Sequence, residues 1–199
     1  MESIPTKEKV PDLRFANLAP EVWNALGELK RTGWVNRGVA NPESVQEHTI
    51  ALRNIAASLD GLSEQEKEGL LDMLEIHDWP EAIHGDEVIL STDENELKSL
   101  KATKFEKEKM ALAQICERLG EDGKEIMGLW LRFETSSDEA ASLAKQLDKY
   151  QAIEKVLEYE KAQGIPLFKE FLDYSRKSIT HPILLKKLEK LEEEFENTR

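Results

Sequence analysis

Along most of the chain apolar residues recur at three- and four-residue intervals, and no stretch alternates convincingly between apolar and polar. This spacing predicts helices over 20–31, 42–59, 64–83, 94–119, 122–133, 138–163, 167–177 and 181–197, with most prolines and glycines between them. No internal repeat or low-complexity linker divides the series, so the expected fold is one all-α domain with a core over about residues 22–163 and the C-terminal helices of 167–197 packed on it. Cap signals accompany several helix starts. "NPES" places Asn41 at an N-cap and Pro42 at the first helical position, "SEQE" gives Ser63 and Glu66 a capping box, and "SSDE" puts a capping serine near 137. The C-terminal "LLKKLEKLEEEFENTR" is leucine-spaced and charged, so one face packs and the other is solvated.

Two helices turn a histidine inward. Val45, Leu52, Ile55 and Leu59 form one stripe, and at 100° per residue His48 falls within it. Leu70, Met73 and Leu74 align with His77 and Glu81 in the next helix. A single inward histidine is ordinarily satisfied by a backbone carbonyl. Glu81 on the same inward face changes the picture, because a carboxylate directed into a core needs a partner or a metal ion. Asp78 lies about 100° round from His77, so both reach a cation held between helices. Pro80 removes a helical hydrogen bond and predicts a kink or an end just past Asp78, and Gly85 closes the helical segment beyond it. Asp148 lies off the Leu143–Leu147–Tyr150–Leu157 stripe, beside Ala141, Ala144 and Ala152; periodicity leaves it either buried or solvated.

Composition narrows the class. The chain has 199 residues, 40% hydrophobic and 34% charged, which suits a helix-rich globule. A net charge of −13 argues against nucleic-acid or anionic-membrane partners, though not against a small phosphorylated ligand met by local cations. No apolar run approaches a membrane span, and "MESIPTKEKVPDLRF" lacks the apolar core of a signal peptide. With a single cysteine, Cys116, and no disulfide framework, a cytoplasmic location is expected.

"RTGWVNRGVANPESVQEH", "HDWPEAIHGD" and "LDKYQAI", in this order, resemble the HD-domain metal-dependent phosphohydrolases, in particular their 5′-deoxynucleotidase and HD-domain-containing branch. A lone HD dipeptide carries nothing; the combination of ESVQEH, HDWPEAIHGD and LDK on helices is specific. The resemblance implies an all-α HD-type bundle and a metal set of His48, His77, Asp78 and Asp148, with Asp148 entering only by this route. It gives Glu81 and Asp86 to the reacting water and the leaving group, and implies a homodimer. The family's arginine–tryptophan pair is incomplete: Trp34 fits, but Gly33 precedes it, so Arg31 or Arg37 has to supply the phosphate's cation.

The residue types agree with that chemistry. Two imidazoles and two carboxylates form a mixed N/O site for Mn, Fe, Co, Ni or Zn. Such an ion polarises the phosphoryl oxygen and acidifies its water, which Glu81 is placed to orient or deprotonate. Asp86 protonates the departing 5′-oxygen if its pKa is raised and otherwise binds the sugar hydroxyl. The expected activity is release of phosphate from deoxynucleoside 5′-monophosphates. The alternatives are hydrolysis of another nucleotide (triphosphate, cyclic or alarmone) and a non-catalytic interaction protein; an intact ligand set counts against the last.

Several residues take plainer readings. A rival metal set of His77, Glu81 and His84 ignores His48 and Asp148 and needs a helix unbroken through Pro80. Lys98, Lys101 and Lys104, interleaved with glutamates, read as a solvated face. Trp23, Trp79 and Trp130 read as core, Cys116 as inert packing, His181 as structural, and Glu75 and Glu87 as solvent-side.

Overall fold

A computed structural model of the chain describes residues 12–197; most of the N-terminal stretch inspected for a signal peptide lies outside them. Ten α-helices succeed one another: α1 (Pro20–Glu28), α2 (Thr32–Val35), α3 (Val45–Ala57), α4 (Glu64–Ile76), α5 (Glu81–His84), α6 (Glu94–Cys116), α7 (Gly120–Thr135), α8 (Glu139–Gln163), α9 (Phe168–Ser175) and α10 (Pro182–Asn197). Among the described residues there is no strand, only an isolated antiparallel bridge between Lys30 and Ser44. None of these helices is long and apolar enough to cross a membrane.

Helices α3, α4 and α8 pack on one another, with α9 and α10 against α8. Their shared core contains Leu52, Leu70, Leu74, Leu147, Ile153 and Leu188. A second apolar cluster joins α1, α6 and α7 through Leu26, Leu112, Ile126 and Trp130, and takes in Trp79 from the turn after α4. Both Trp79 and Trp130 are fully buried, as their sequence context implied. At Gly123 a side chain would strike the Cys116 carbonyl, so glycine there lets α7 start close against the end of α6.

The cap assignments divide. Ser63 and Glu66 form the expected capping box. Asn41 and Pro42 do not start α3: Asn41 is left-handed with φ 50°, and Ser44 caps the helix in a reciprocal box with Glu47. Backbone pairing explains the delay. The Arg31 N–H donates to the Glu43 carbonyl and the Val45 N–H to the Leu29 carbonyl, which keeps the chain extended through Ser44. Asp138, not a serine at 137, caps α8 by accepting from the Ala141 N–H. The helix expected over 64–83 is broken at its functional end, where His77 caps α4 and a turn through Pro80 leads into α5.

Glu75 corrects the expectation of a solvent-side residue. It is fully buried, and its carboxylate accepts from Arg53 at 2.6 Å and from the backbone N–H groups of Arg14, Phe15 and Ala16 at 3.0, 2.6 and 2.8 Å. The segment before α1 is thereby fastened to α4, and Arg14 adds an ion pair to Asp72. Removing one partner of such a pair strands the other's charge. Glu75→Ala is therefore expected to lower stability by about 3–5 kcal/mol. On exposed Glu68 the same change should stay within about 0.5 kcal/mol, both read from urea denaturation midpoints.

Candidate functional site

Local backbone rules bring the polar residues together. Ser44 fixes where α3 begins, so His48 faces inward on its first full turn. The end of α4 puts His77 and Asp78 on a turn, where their side chains point to one place without obeying helical spacing. Asp148 comes from the middle of α8. The 29–31 segment, tied to 43–45, carries Arg31 to the same point.

Nitrogen and oxygen atoms of His48, His77 and Asp78 lie within 4.8 Å of one another. His77 Nε2 is 3.1 Å from Asp78 Oδ2, and His48 Nε2 is 3.8 Å from that oxygen and 3.2 Å from Asp148 Oδ1. Both Nε2 atoms are buried without a hydrogen-bond partner. Burial alone would raise the Asp78 and Asp148 carboxyls, but the imidazoles and Arg31 outweigh it and hold both below the usual range. For His77 burial is likewise overcome by Asp78, and its pKa is raised. The donor set fits a divalent transition ion, since two orphaned imidazole nitrogens converge with two ionised carboxylates.

The far side of each ring is committed. His77 Nδ1 lies 2.7 Å from the Leu74 carbonyl, which can only accept, so Nδ1 carries a proton and, in the neutral ring, Nε2 keeps the lone pair. His48 Nδ1 lies 2.7 Å from Gln151 Oε1. The Gln151 amide is oriented in turn, because its Nε2 donates to Glu43 Oε2 at 3.1 Å. Trp34 Nε1 donates to the other Glu43 oxygen at 3.1 Å, and the Glu43 N–H donates to the Tyr159 hydroxyl at 2.8 Å. A buried chain Trp34–Glu43–Gln151–His48 thus sets one tautomer.

Three further groups adjoin the cluster. Arg31 donates to Asp78 Oδ2 at 3.2 Å, and Asp78, Asp148, Asp86 and Glu81 together hold its charge against the penalty of burial. Burial, then Asp78 and Asp86, push the Glu81 carboxyl well above the ordinary range, and its Oε2 is buried without a partner. Asp86 accepts from the Thr32 N–H at 2.6 Å, which pins the turn at Gly85 (φ 84°) to α2. A cavity of about 610 Å³ opens from the cluster, lined by His77, Asp78, Asp148, Phe105, Phe133 and four lysines, 101, 104, 145 and 149.

The structure separates the sequence candidates. His48, His77, Asp78 and Asp148 meet, with Arg31 among them. Arg37 does not join: it pairs with Glu170 at 2.8 Å and lies over the Phe171 ring. Trp34 is only 3% exposed, stacked on Phe171 and edge-on to Tyr159, so it touches the site through Glu43 rather than presenting a face to the cavity. His84 binds its neighbour's Gly85 carbonyl and stands outside the cluster. Gln151 and Glu43 received no role from the sequence, although each lies within a motif that carries the resemblance, LDKYQAI and ESVQEH. Lys101 and Lys104 both line the cavity; Lys101 is exposed, as the solvated-face reading expects, whereas Lys104 is part-buried.

The chain matches the HD-domain family profile over residues 24–196, which takes in the C-terminal helices as well. It belongs to the HD-domain family. It is 37% identical to the 5′-deoxynucleotidase HDDC2 of Danio rerio over 175 residues, covering 85% of this chain and 84% of that protein. The proteins of that name from Dictyostelium discoideum and Homo sapiens are 33% and 34% identical, over 82% and 85% of this chain and 89% and 82% of theirs. The crystal structure of the PH0347 protein from Pyrococcus horikoshii OT3 has the same fold, with a TM-score of 0.69 at 22% identity over 88% of this chain and 97% of that one.

In this HD-domain protein, Gln151→Leu keeps the volume but leaves His48 free to choose its tautomer. It should weaken Mn²⁺ or Co²⁺ binding by about 10–100-fold, read by calorimetry on the stripped protein. An unchanged affinity would show that the Glu43–Gln151 pair does not orient His48.

Proposed function

We propose that the protein is a metal-dependent phosphomonoesterase that hydrolyses deoxynucleoside 5′-monophosphates to deoxynucleoside and phosphate. The observation that carries this reading is the meeting of buried His48 and His77 with part-buried Asp78 and Asp148 at one end of a cavity. Its relatives named 5′-deoxynucleotidases, alike over most of their length, support the substrate class.

His48, His77, Asp78 and Asp148 would hold the ion, one of Mn, Co, Fe, Ni or Zn. When bound, it supplies a Lewis acid for the phosphoryl group and a more acidic water. Arg31, anchored on Asp78, keeps further N–H donors for phosphate oxygens, and takes the role that the sequence left open between Arg31 and Arg37. Glu81, whose surroundings raise its affinity for a proton, takes one from the attacking water. Asp86, steadied by Thr32, holds the sugar hydroxyl, or passes a proton to the departing 5′-oxygen when it carries one. Trp34 positions Glu43 and, through it, His48. The same reading takes the enzyme to be a homodimer.

Phosphate release is measured on dNMPs, NMPs and dNTPs with added Mn²⁺ or Co²⁺. dNMP turnover should be lost with a chelator and in Asp78→Ala, and Glu81→Gln should reduce it by about 10²–10⁴-fold. Activity that survives both chelation and Asp78→Ala would sink the metal mechanism, and equal turnover of NMPs would remove the deoxy preference. Light scattering should return twice the chain mass; a monomer would overturn the dimer.

A further inference from the structure

The cavity that leads to the cluster carries more positive charge than one phosphate requires. Helix α6 presents Lys101, Lys104, Phe105 and Glu108 to it, at the i, i+3, i+4 and i+7 spacing of one face. Helix α8 presents Lys145 and Lys149, one turn apart, beside Asp148. Two of these four lysines are already matched. Lys104 lies 3.4 Å from Glu108 and 4.0 Å from Glu81, and donates to the Glu87 carbonyl at 2.9 Å. Lys145 pairs with Glu134 at 3.2 Å and lies over the Phe133 ring.

Lys101 and Lys149 are not matched. Among the described residues neither has an ion-pair partner within 4.0 Å. Lys149 is partly buried, and the pull of neighbouring Asp148 is opposed by the repulsion of both Lys145 and Lys101. Surface lysines ordinarily turn outward to water. A half-buried one aimed with its like-charged neighbour into a shared cavity is an arrangement that an anion completes. The overall charge of −13 makes such a local concentration of cations the more necessary for a polyanionic ligand.

A nucleoside monophosphate has a single anionic group. If that group sits at the metal cluster with Arg31, as the proposed hydrolysis requires, the molecule has no second anion to offer Lys101 and Lys149. Resting on that hydrolytic reading, we propose that the cavity accepts nucleotides with a second phosphate, which Lys101 and Lys149 clasp from α6 and α8 while the first lies at the cluster. Phe105, Phe133 and Ile89 supply apolar wall in the same cavity. Two sources share this chemistry. The second phosphate is either on the sugar, as in a 3′,5′-bisphosphate, or next in a 5′-chain, as in a diphosphate.

The test is competition against a fluorescent deoxynucleotide on the full-length, Mn²⁺-loaded protein, with phosphate release monitored in parallel. The probes are deoxyadenosine 5′-monophosphate, 5′-diphosphate and 3′,5′-bisphosphate. At least one doubly phosphorylated probe should bind about tenfold more tightly than the monophosphate. That advantage should shrink to within about twofold in Lys101→Gln/Lys149→Gln. A Lys98→Gln/Lys190→Gln protein, equal in net charge but altered away from the cavity, should retain it. Which probe gains identifies the source. Equal affinity of all three for the wild type would overturn the proposal, as would an advantage that survives the cavity double variant or is lost in the control pair. Absence of phosphate release with the affinity pattern intact would instead count against the hydrolytic reading and leave the second-phosphate site standing.

Discussion

Two imidazole lone pairs facing carboxylate oxygens inside a protein are tolerable only if a cation, proton or metal, lies between them. The Nε2 atoms of His48 and His77 are in that position, because their Nδ1 sides are committed to Gln151 and Leu74. Much of the central architecture serves this constraint. The late start of α3, the break after α4 and the burial of Glu43 each remove an alternative arrangement in which a ring would turn over and satisfy itself.

The same helices are braced from behind. Shortly before His77, Glu75 points the opposite way and gathers Arg53 and three backbone N–H groups. Helix α3 thus meets α4 through two polar contacts, His48 toward the cluster and Arg53 toward Glu75, with Leu52 and Ile55 packed in the apolar core. A slide between α3 and α4 would break the buried ion pair and the cluster geometry together. That coupling gives a metal site assembled from separate helices the rigidity that contacts within the cluster alone do not provide.

Much of this was legible from spacing. The 3.6-residue period predicts the all-α class, and it turns His48, His77 and Glu81 inward. Asp148 was not legible, because a residue off the apolar stripe reads as solvated unless the polar cavity it faces is known. Glu75 was misread for a related reason: its partners are an arginine 22 positions away and backbone groups that have no sequence signature. Trp34 was credited with a substrate contact on its motif alone, whereas its indole N–H serves a carboxylate nine residues on. Lys101 and Lys104 looked like half of an i, i+3 charge pattern, and only the approach of α8 shows that they share a cavity with Lys145 and Lys149.

Charge balance links the metal centre to its surroundings. Asp78, Asp148, Asp86 and Glu81 all bear on Arg31, and Lys104 from α6 faces Glu81, Asp78 and Asp86. Four carboxylates against these two cations leave a deficit that the protein meets in two ways. Glu81, the most enclosed of the four without a donor of its own, resists ionisation. The remainder calls for an ion of higher charge than a proton at the point where Asp78 and Asp148 converge.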